Sequence, residues 1–114
     1  MKATIWHNPR CSKSRQALAI LEETPGVAVT VLEYLKTPPT RAEIAAVLAQ
    51  AGVRPSQAVR KGEAVAREIG LDTGDDATVL DAMAQHPILI ERPIVITDKG
   101  AVIARPPEKA RALL

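Results

Sequence analysis

The strongest constraint on the fold is a strand, helix, strand pattern in the first third of the chain. Residues 3–6 form a short apolar run that leads into a polar turn, which is typical of a buried strand. From Ser12 the spacing of the apolar residues predicts a helix, which Pro25 ends. Residues 27–35 are rich in valine and predict a second strand. Because strands joined through one helix form right-handed βαβ units, the two strands are expected to be parallel.

The last third of the chain predicts an antiparallel hairpin and a closing helix. Residues 94–97 and 101–104 are apolar, largely β-branched runs joined by a turn that contains Gly100. Pro107 and Glu108 then suit the first turn of a helix.

Between these halves the pattern is helical, over about residues 40–86. Thr40 and Glu43 match a capping box, and the helix that they begin is expected to stop at Gly52. Two further helices are predicted, over residues 63–69 and 76–85.

The only cysteine, Cys11, lies at the first strand-to-helix turn of this order of elements. That placement is the thioredoxin-like arrangement. The sequence therefore predicts an α/β fold, a single thioredoxin-like domain over residues 1–114. Its four-stranded mixed sheet carries a helical insertion between the second and third strands.

Composition excludes several classes of function. The aromatic residues are Trp6 and Tyr34 alone, and the net charge is +2. Both facts argue against nucleic-acid binding by base stacking or by charge, and against a membrane surface. One cysteine makes no internal disulfide, and the first residues do not resemble a secretory signal, so we expect the cytoplasm. The longest apolar stretch is broken by Glu91 and Arg92, which argues against a membrane span.

Cys11 is a candidate reactive thiol. Cationic residues flank it along the chain, and a predicted helix N-terminus follows it. Both features favour the thiolate form of the side chain. The alternative is a small buried apolar residue. Ser14 occupies the position where a dithiol oxidoreductase carries its second cysteine, so an external thiol such as glutathione would have to resolve an intermediate on Cys11. The alternative role of Ser12 and Ser14 is to cap the helix, and for Ser12 capping is as well supported as a catalytic role.

Arginines are the second group of candidates. Arg92 and Arg105 border the predicted hairpin, and Arg60 lies in the insertion. Their planar guanidinium groups suit oxyanion binding, although single arginines are commonly solvated surface charges. His7 could lower the pKa of Cys11 when protonated, or could be a neutral structural residue at a strand end. His86 is interpreted as a helix-end residue. We find neither zinc-ligand spacing nor a phosphate-binding glycine loop, so no metal or tightly bound cofactor is expected.

The chain resembles the glutaredoxin-coupled arsenate reductases. The resemblance rests on motifs spread over essentially the whole chain: residues 7–15 (HNPRCSKSR), 34–35 with 38–39, 60–61, 86–95 (HPILIERPIV) and 105–108 (RPPE). Within that family, the Cys-Ser-Lys-Ser and Arg-Pro-Pro-Glu motifs are similar to those of the arsenate reductase-like branch.

The resemblance implies a thioredoxin-like fold and a set of roles. Cys11 would attack arsenate, with His7 helping to lower its pKa. Arg60, Arg92 and Arg105, together with Ser14, would bind the oxyanion. The bond between Arg92 and Pro93 is expected to be cis.

The reaction that the resemblance implies uses glutathione as a co-substrate and glutaredoxin as a partner. Arsenate would form an ester with Cys11, glutathione would attack, and glutaredoxin would clear the mixed disulfide. Two alternatives stay open. One is a monothiol glutathione-dependent enzyme with another substrate, and the other is an Spx-like, non-catalytic regulator that binds RNA polymerase.

Overall fold

The fold begins with the βαβ unit that the sequence predicts. A computed structural model describes residues 1–114. Strand β1 (Lys2–Trp6) leads into helix α1 (Ser12–Glu23), and the chain returns as strand β2 (Ala28–Leu32). The two strands are parallel, paired from Lys2 with Ala28 to Trp6 with Leu32. The predicted βαβ unit is therefore confirmed.

The hairpin completes a four-stranded mixed sheet. Strands β3 (Ile94–Thr97) and β4 (Gly100–Ile103) are antiparallel, and β3 also pairs antiparallel with β1. The strand order is β2-β1-β3-β4. The α/β, thioredoxin-like fold class predicted from the sequence is confirmed.

The aliphatic core of this sheet unit lies between the sheet, α1 and the C-terminal helix. Ile5 and Val95 come from the sheet, Ala17 and Leu21 from α1, and Leu113 from the C-terminal 3₁₀ helix Pro107–Leu113. Side chains at these positions are nine-tenths or more buried. Burying a valine, leucine or isoleucine side chain of this kind stabilises the fold by about 1.5–3 kcal/mol, and an alanine contributes less. This packing holds the N-terminus of α1 beside the carboxyl end of β1.

The chain divides into two compact units, Met1–Thr37 with Arg92–Leu114, and Pro38–Glu91. The second unit is helical. Its helices are α2 (Arg41–Gln50), α3 (Pro55–Ala58), α4 (Ala64–Glu68), α5 (Asp76–Gln85) and the 3₁₀ helix Pro87–Leu89. The prediction that both units form a single domain stays a prediction.

Helix α2 starts and stops as expected. Glu43 N–H donates to Thr40 Oγ1 (3.1 Å), and Thr40 N–H donates to Glu43 Oε1 (3.0 Å), which confirms the capping box. Gly52 has φ +70°, a left-handed conformation that residues with a side chain rarely adopt.

Ion pairs connect helices within this unit. Arg41 of α2 pairs with Asp81 of α5, and Arg54, the N-cap residue of α3, pairs with Asp76 of α5.

Several predicted boundaries differ from the structure. Strand β2 ends at Leu32 and not at residue 35, because its only partner, β1, ends at the paired Trp6. The chain then turns, with Lys36 N–H donating to Glu33 O (2.9 Å). The closing helix is a 3₁₀ helix, and the one-turn helix α3 has too few residues to show a periodic pattern.

Two peptide bonds are cis, Arg92-Pro93 and Arg105-Pro106. The first confirms the expectation that the resemblance provided, and the second was not expected. None of the helices has the length and apolar character that crossing a membrane requires.

Candidate functional site

Cys11 stands at the junction between β1 and α1. It is the N-cap residue of α1, with an extended backbone (φ −93°, ψ 121°), and its carbonyl accepts the first helical hydrogen bond, from Arg15 N–H (3.0 Å). The side chain is partly buried. Its sulfur therefore lies at the end of the helix where backbone N–H groups lack intrahelical partners.

The turn before Cys11 is held by a dense set of hydrogen bonds. Cys11 N–H donates to Asn8 O (3.0 Å), and Arg10 N–H donates to Asn8 Oδ1 (3.0 Å). Arg15 Nη1 donates to Pro9 O (2.8 Å). No role for the Asn8 side chain was predicted from the sequence. The Asn-Pro pair is the signal that could have revealed it, because Asn side chains close turns of this kind.

Sheet register brings two of the predicted arginines to this turn. Ile94 pairs with Ile103 and also with Trp6, so the open end of the hairpin lies beside the end of β1. Arg92 and Arg105 are the residues that flank this open end. Arg105 Nη1 lies 4.0 Å from Cys11 Sγ and donates to Arg92 O (3.1 Å).

The surroundings of Cys11 lower its pKa on balance. Burial, the largest single influence, disfavours the thiolate and raises the pKa. The Ser14 backbone N–H, the charge of Arg92, the Lys13 backbone N–H and the Arg105 guanidinium act in the opposite direction and outweigh it. Together they leave the pKa below the ordinary value of a thiol, which increases the fraction of Cys11 present as the thiolate.

His7 and Ser14 form a buried hydrogen-bonded pair. His7 Nδ1 lies 2.6 Å from Ser14 Oγ, which also accepts from Asn8 N–H (3.0 Å). Burial is the main reason that the pKa of His7 is lowered; Arg15 lowers it further, while Glu33 and Glu22 oppose the change. The Ser14 hydroxyl is thus occupied within the fold, while its backbone N–H acts on the sulfur. The roles predicted for His7 in catalysis and for Ser14 in substrate binding stay predictions.

Arg60 belongs to the helical unit. Its Nη2 lies 2.7 Å from Glu63 Oε1, and its side chain is 21% exposed. It borders an open pocket of about 540 Å³ whose lining also includes Val59, Lys61, Gly62, Glu63 and Glu91. Its predicted role in oxyanion binding stays a prediction. No three His, Cys, Asp or Glu side chains lie together in a way that could hold a metal ion.

The fold and the site define a thioredoxin-like α/β protein with a single cysteine at the N-terminus of its first helix. Comparison with known families takes this further. Residues 6–113 match the ArsC family, and the chain belongs to that family. The family resemblance drawn from the sequence is confirmed.

Individual relatives match over nearly the whole chain. An arsenate reductase of Rhizobium meliloti is 46% identical over 110 residues, covering 95% of this chain and 78% of the relative. One from Neisseria meningitidis serogroup A is 42% identical over 113 residues, covering 96% of each. The solved structure of an arsenate reductase from Vibrio cholerae is 41% identical and superposes with a TM-score of 0.91, covering 100% of this chain and 98% of that one.

Proposed function

We propose that this chain is an arsenate reductase in which Cys11 is the nucleophile, glutathione the second thiol and glutaredoxin the regenerating partner. The observation that carries the proposal is the lowered pKa of Cys11 with the Arg105 guanidinium 4.0 Å from its sulfur. A thiolate beside fixed cations is suited to attack a tetrahedral oxyanion. The names of relatives that are 46% and 41% identical to the chain support the same substrate.

The first step forms a bond between sulfur and arsenic. The Cys11 thiolate attacks arsenate, and one arsenate oxygen leaves as water after protonation. Arg92 and Arg105 neutralise the anion as it approaches and stabilise the charge that develops on its oxygens. Arg60 is proposed as a third cation for the oxyanion, and Ser14 as a further contact through its backbone N–H, because its hydroxyl is occupied within the fold.

The second step reduces the arsenic. The thiol of glutathione attacks the arsenic adduct, and two electrons pass from the two sulfurs to arsenic, which becomes trivalent and leaves as arsenite. The sulfurs are oxidised to a mixed disulfide between Cys11 and glutathione. A glutaredoxin thiolate then attacks the glutathione sulfur and releases the Cys11 thiolate.

The need for an external thiol follows from the content of the chain. Cys11 is its only cysteine, and residue 14, where a second thiol would stand, is serine. One glutathione thiol and one glutaredoxin thiol together supply the two electrons, so no tightly bound cofactor is needed. We place the reaction in the cytoplasm, because a lone thiol stays reduced there.

A coupled assay tests the proposal. Purified protein is given arsenate, glutathione and glutaredoxin, and arsenite release is measured with each component omitted in turn. We expect turnover that requires all three and is absent in Cys11→Ser. Turnover no greater than that of Cys11→Ser would refute it, and turnover without glutathione would refute the assignment of the reductant.

Protection of the thiol separates arsenate from other substrates. Arsenate bound beside Arg92 and Arg105 is expected to slow alkylation of Cys11 by iodoacetamide in proportion to its occupancy. Equal rates with and without arsenate would favour a glutathione-dependent enzyme with another substrate.

A further inference from the structure

We propose that Arg10 and Lys13, exposed cations on either side of Cys11 in the sequence, bind the carboxylates of glutathione, an inference that deepens the proposed function and rests on it. Arg92 and Arg105 serve arsenate, while Arg10 and Lys13 serve the thiol that attacks second. The two anionic substrates thus meet different cations around one sulfur.

The chain around the thiol carries positive charge without carboxylates. Residues 1–21 include four cations and no Asp or Glu. Arg10 and Lys13 are exposed, and neither side chain forms an ion pair or a hydrogen bond within the protein. The third cation of this turn, Arg15, donates to Pro9 O (2.8 Å) and so holds the backbone. Arg10 and Lys13 are therefore the cations of the turn that can meet a ligand without breaking a contact.

Lys13 stands where the helix dipole disfavours a cation. Cys11 is the N-cap residue of α1, so Lys13 lies in the first turn, which holds no acidic residue. The N-terminus of a helix is the positive end of its dipole and favours anions. A lysine at this position does not stabilise the helix. It adds instead to a positive field that attracts anions from solution.

The charges of these two side chains do not act on the sulfur itself. The groups that shift the pKa of Cys11 include the Lys13 backbone N–H, the charge of Arg92 and the Arg105 guanidinium. They do not include the Lys13 ammonium or the Arg10 guanidinium. We therefore assign both side chains to the part of a ligand that extends beyond the reacting atoms.

Glutathione matches this distribution of charge. Its thiol belongs to the central residue of a tripeptide, and each of the two outer residues carries a carboxylate. Cys11 likewise lies between two cations, one residue before it and two residues after it. Arsenate is a single tetrahedral ion and has no outlying charges. When the glutathione thiol reaches the adduct on Cys11, its carboxylates extend toward neighbouring side chains, and charge-assisted hydrogen bonds to cations hold them there.

Thiol–disulfide exchange tests this assignment without arsenate. The Cys11 thiolate attacks oxidised glutathione, the bond between the two glutathione sulfurs breaks, and the products are the Cys11–glutathione disulfide and one glutathione thiolate. The initial rate is measured by mass spectrometry and divided by the rate with bis(2-hydroxyethyl) disulfide, which is uncharged. Because a change in the reactivity of the thiol affects both rates, this rate ratio reports recognition of the charges on glutathione.

Substitutions that remove or retain charge give the expected results. Arg10→Gln and Lys13→Gln should each lower the rate ratio about two-fold, and the double variant about four-fold, as is usual for solvent-exposed ion pairs. Lys13→Arg retains the charge and should retain the ratio. Lys2→Gln removes an exposed cation at the far end of β1 from the thiol, so this matched control should leave the ratio unchanged. Salt at about 1 M should remove the differences, because it shortens the Debye length to about 3 Å.

Three results would overturn the inference. One is a double variant whose rate ratio equals that of Lys2→Gln. The others are equal losses in Lys13→Arg and Lys13→Gln, and losses that persist at high salt, because neither would arise from charge. Since the exchange needs no arsenate, a lowered ratio in a protein that fails to reduce arsenate would uphold glutathione binding and refute only the arsenate substrate.

Discussion

Replacing Arg105 by glutamine should raise the pKa of Cys11. Arg105 Nη1 lies 4.0 Å from the sulfur and is held there by its hydrogen bond to Arg92 O (3.1 Å). A fixed positive charge stabilises the thiolate but not the thiol, so its removal shifts the equilibrium toward the thiol.

The size of the effect follows from this distance. At 4.0 Å two unit charges attract by about 1 kcal/mol in water and by about 4 kcal/mol at an effective dielectric constant of about 20. One pKa unit corresponds to about 1.4 kcal/mol, which gives a range of roughly 0.7 to 3 units. Cys11 is only partly buried, and solvent screens the pair, so we expect a rise of about one unit. Below the pKa, alkylation should then slow about ten-fold.

The assay is the rate of iodoacetamide alkylation against pH, supported by the ultraviolet absorbance of the thiolate. Arg105→Lys retains the charge and should shift the pKa less than Arg105→Gln. Arg111→Gln, an exposed arginine of the C-terminal helix, is the matched control and should leave the pKa unchanged. An Arg105→Gln profile that coincides with that of Arg111→Gln would refute the electrostatic argument, and equal shifts for lysine and glutamine would show that charge is not the cause.

Three further predictions concern stability and substrate binding. Thr40→Ala removes the capping box of α2 and should lower the free energy of unfolding, measured in urea titrations, by about 1 kcal/mol. An unchanged free energy of unfolding would mean that water replaces the capping hydrogen bonds without loss of stability. Stability should fall as the pH drops from 6.5 toward the lower folded pKa of His7, because the unfolded chain takes up a proton that the buried ring resists. A pH-resolved denaturation series should show this slope flattened in His7→Asn, and an identical slope would assign it to other groups. Under the proposed function, Arg60→Gln should raise the KM for arsenate. Arg67, whose guanidinium donates to Gly62 O (2.9 Å), provides the control: Arg67→Gln should leave the KM unchanged. Equal KM values for the two variants would argue against a substrate role for Arg60.

Features that depend on neighbouring residues were predictable with little error. The helix predicted over about residues 76–85 and the strand predicted over 94–97 are both present in the structure, and so is the capping box. Apolar periodicity, caps and turn residues carry this information locally. The helices that were not predicted correctly are short. A one-turn helix such as α3 has too few residues for a repeating apolar pattern.

The end of β2 needed more than local sequence. Residues 33–35 have strand-like composition, but β1 offers no partner beyond Trp6, and so the chain turns. Strand length is set by the available pairing partner as much as by propensity.

By itself, the sequence determined that a single thiol stands at a strand-to-helix turn, followed by a helix N-terminus. This could be read directly because the strand, the turn and the helix are adjacent along the chain. Only the tertiary structure decided which distant groups meet that thiol. Arg105 is 94 residues away from Cys11 and reaches it through the register of β3 with β1 and β4. The bond between His7 and Ser14 likewise depends on how α1 docks against the sheet. The cation beside the sulfur and this buried pair are therefore both consequences of packing.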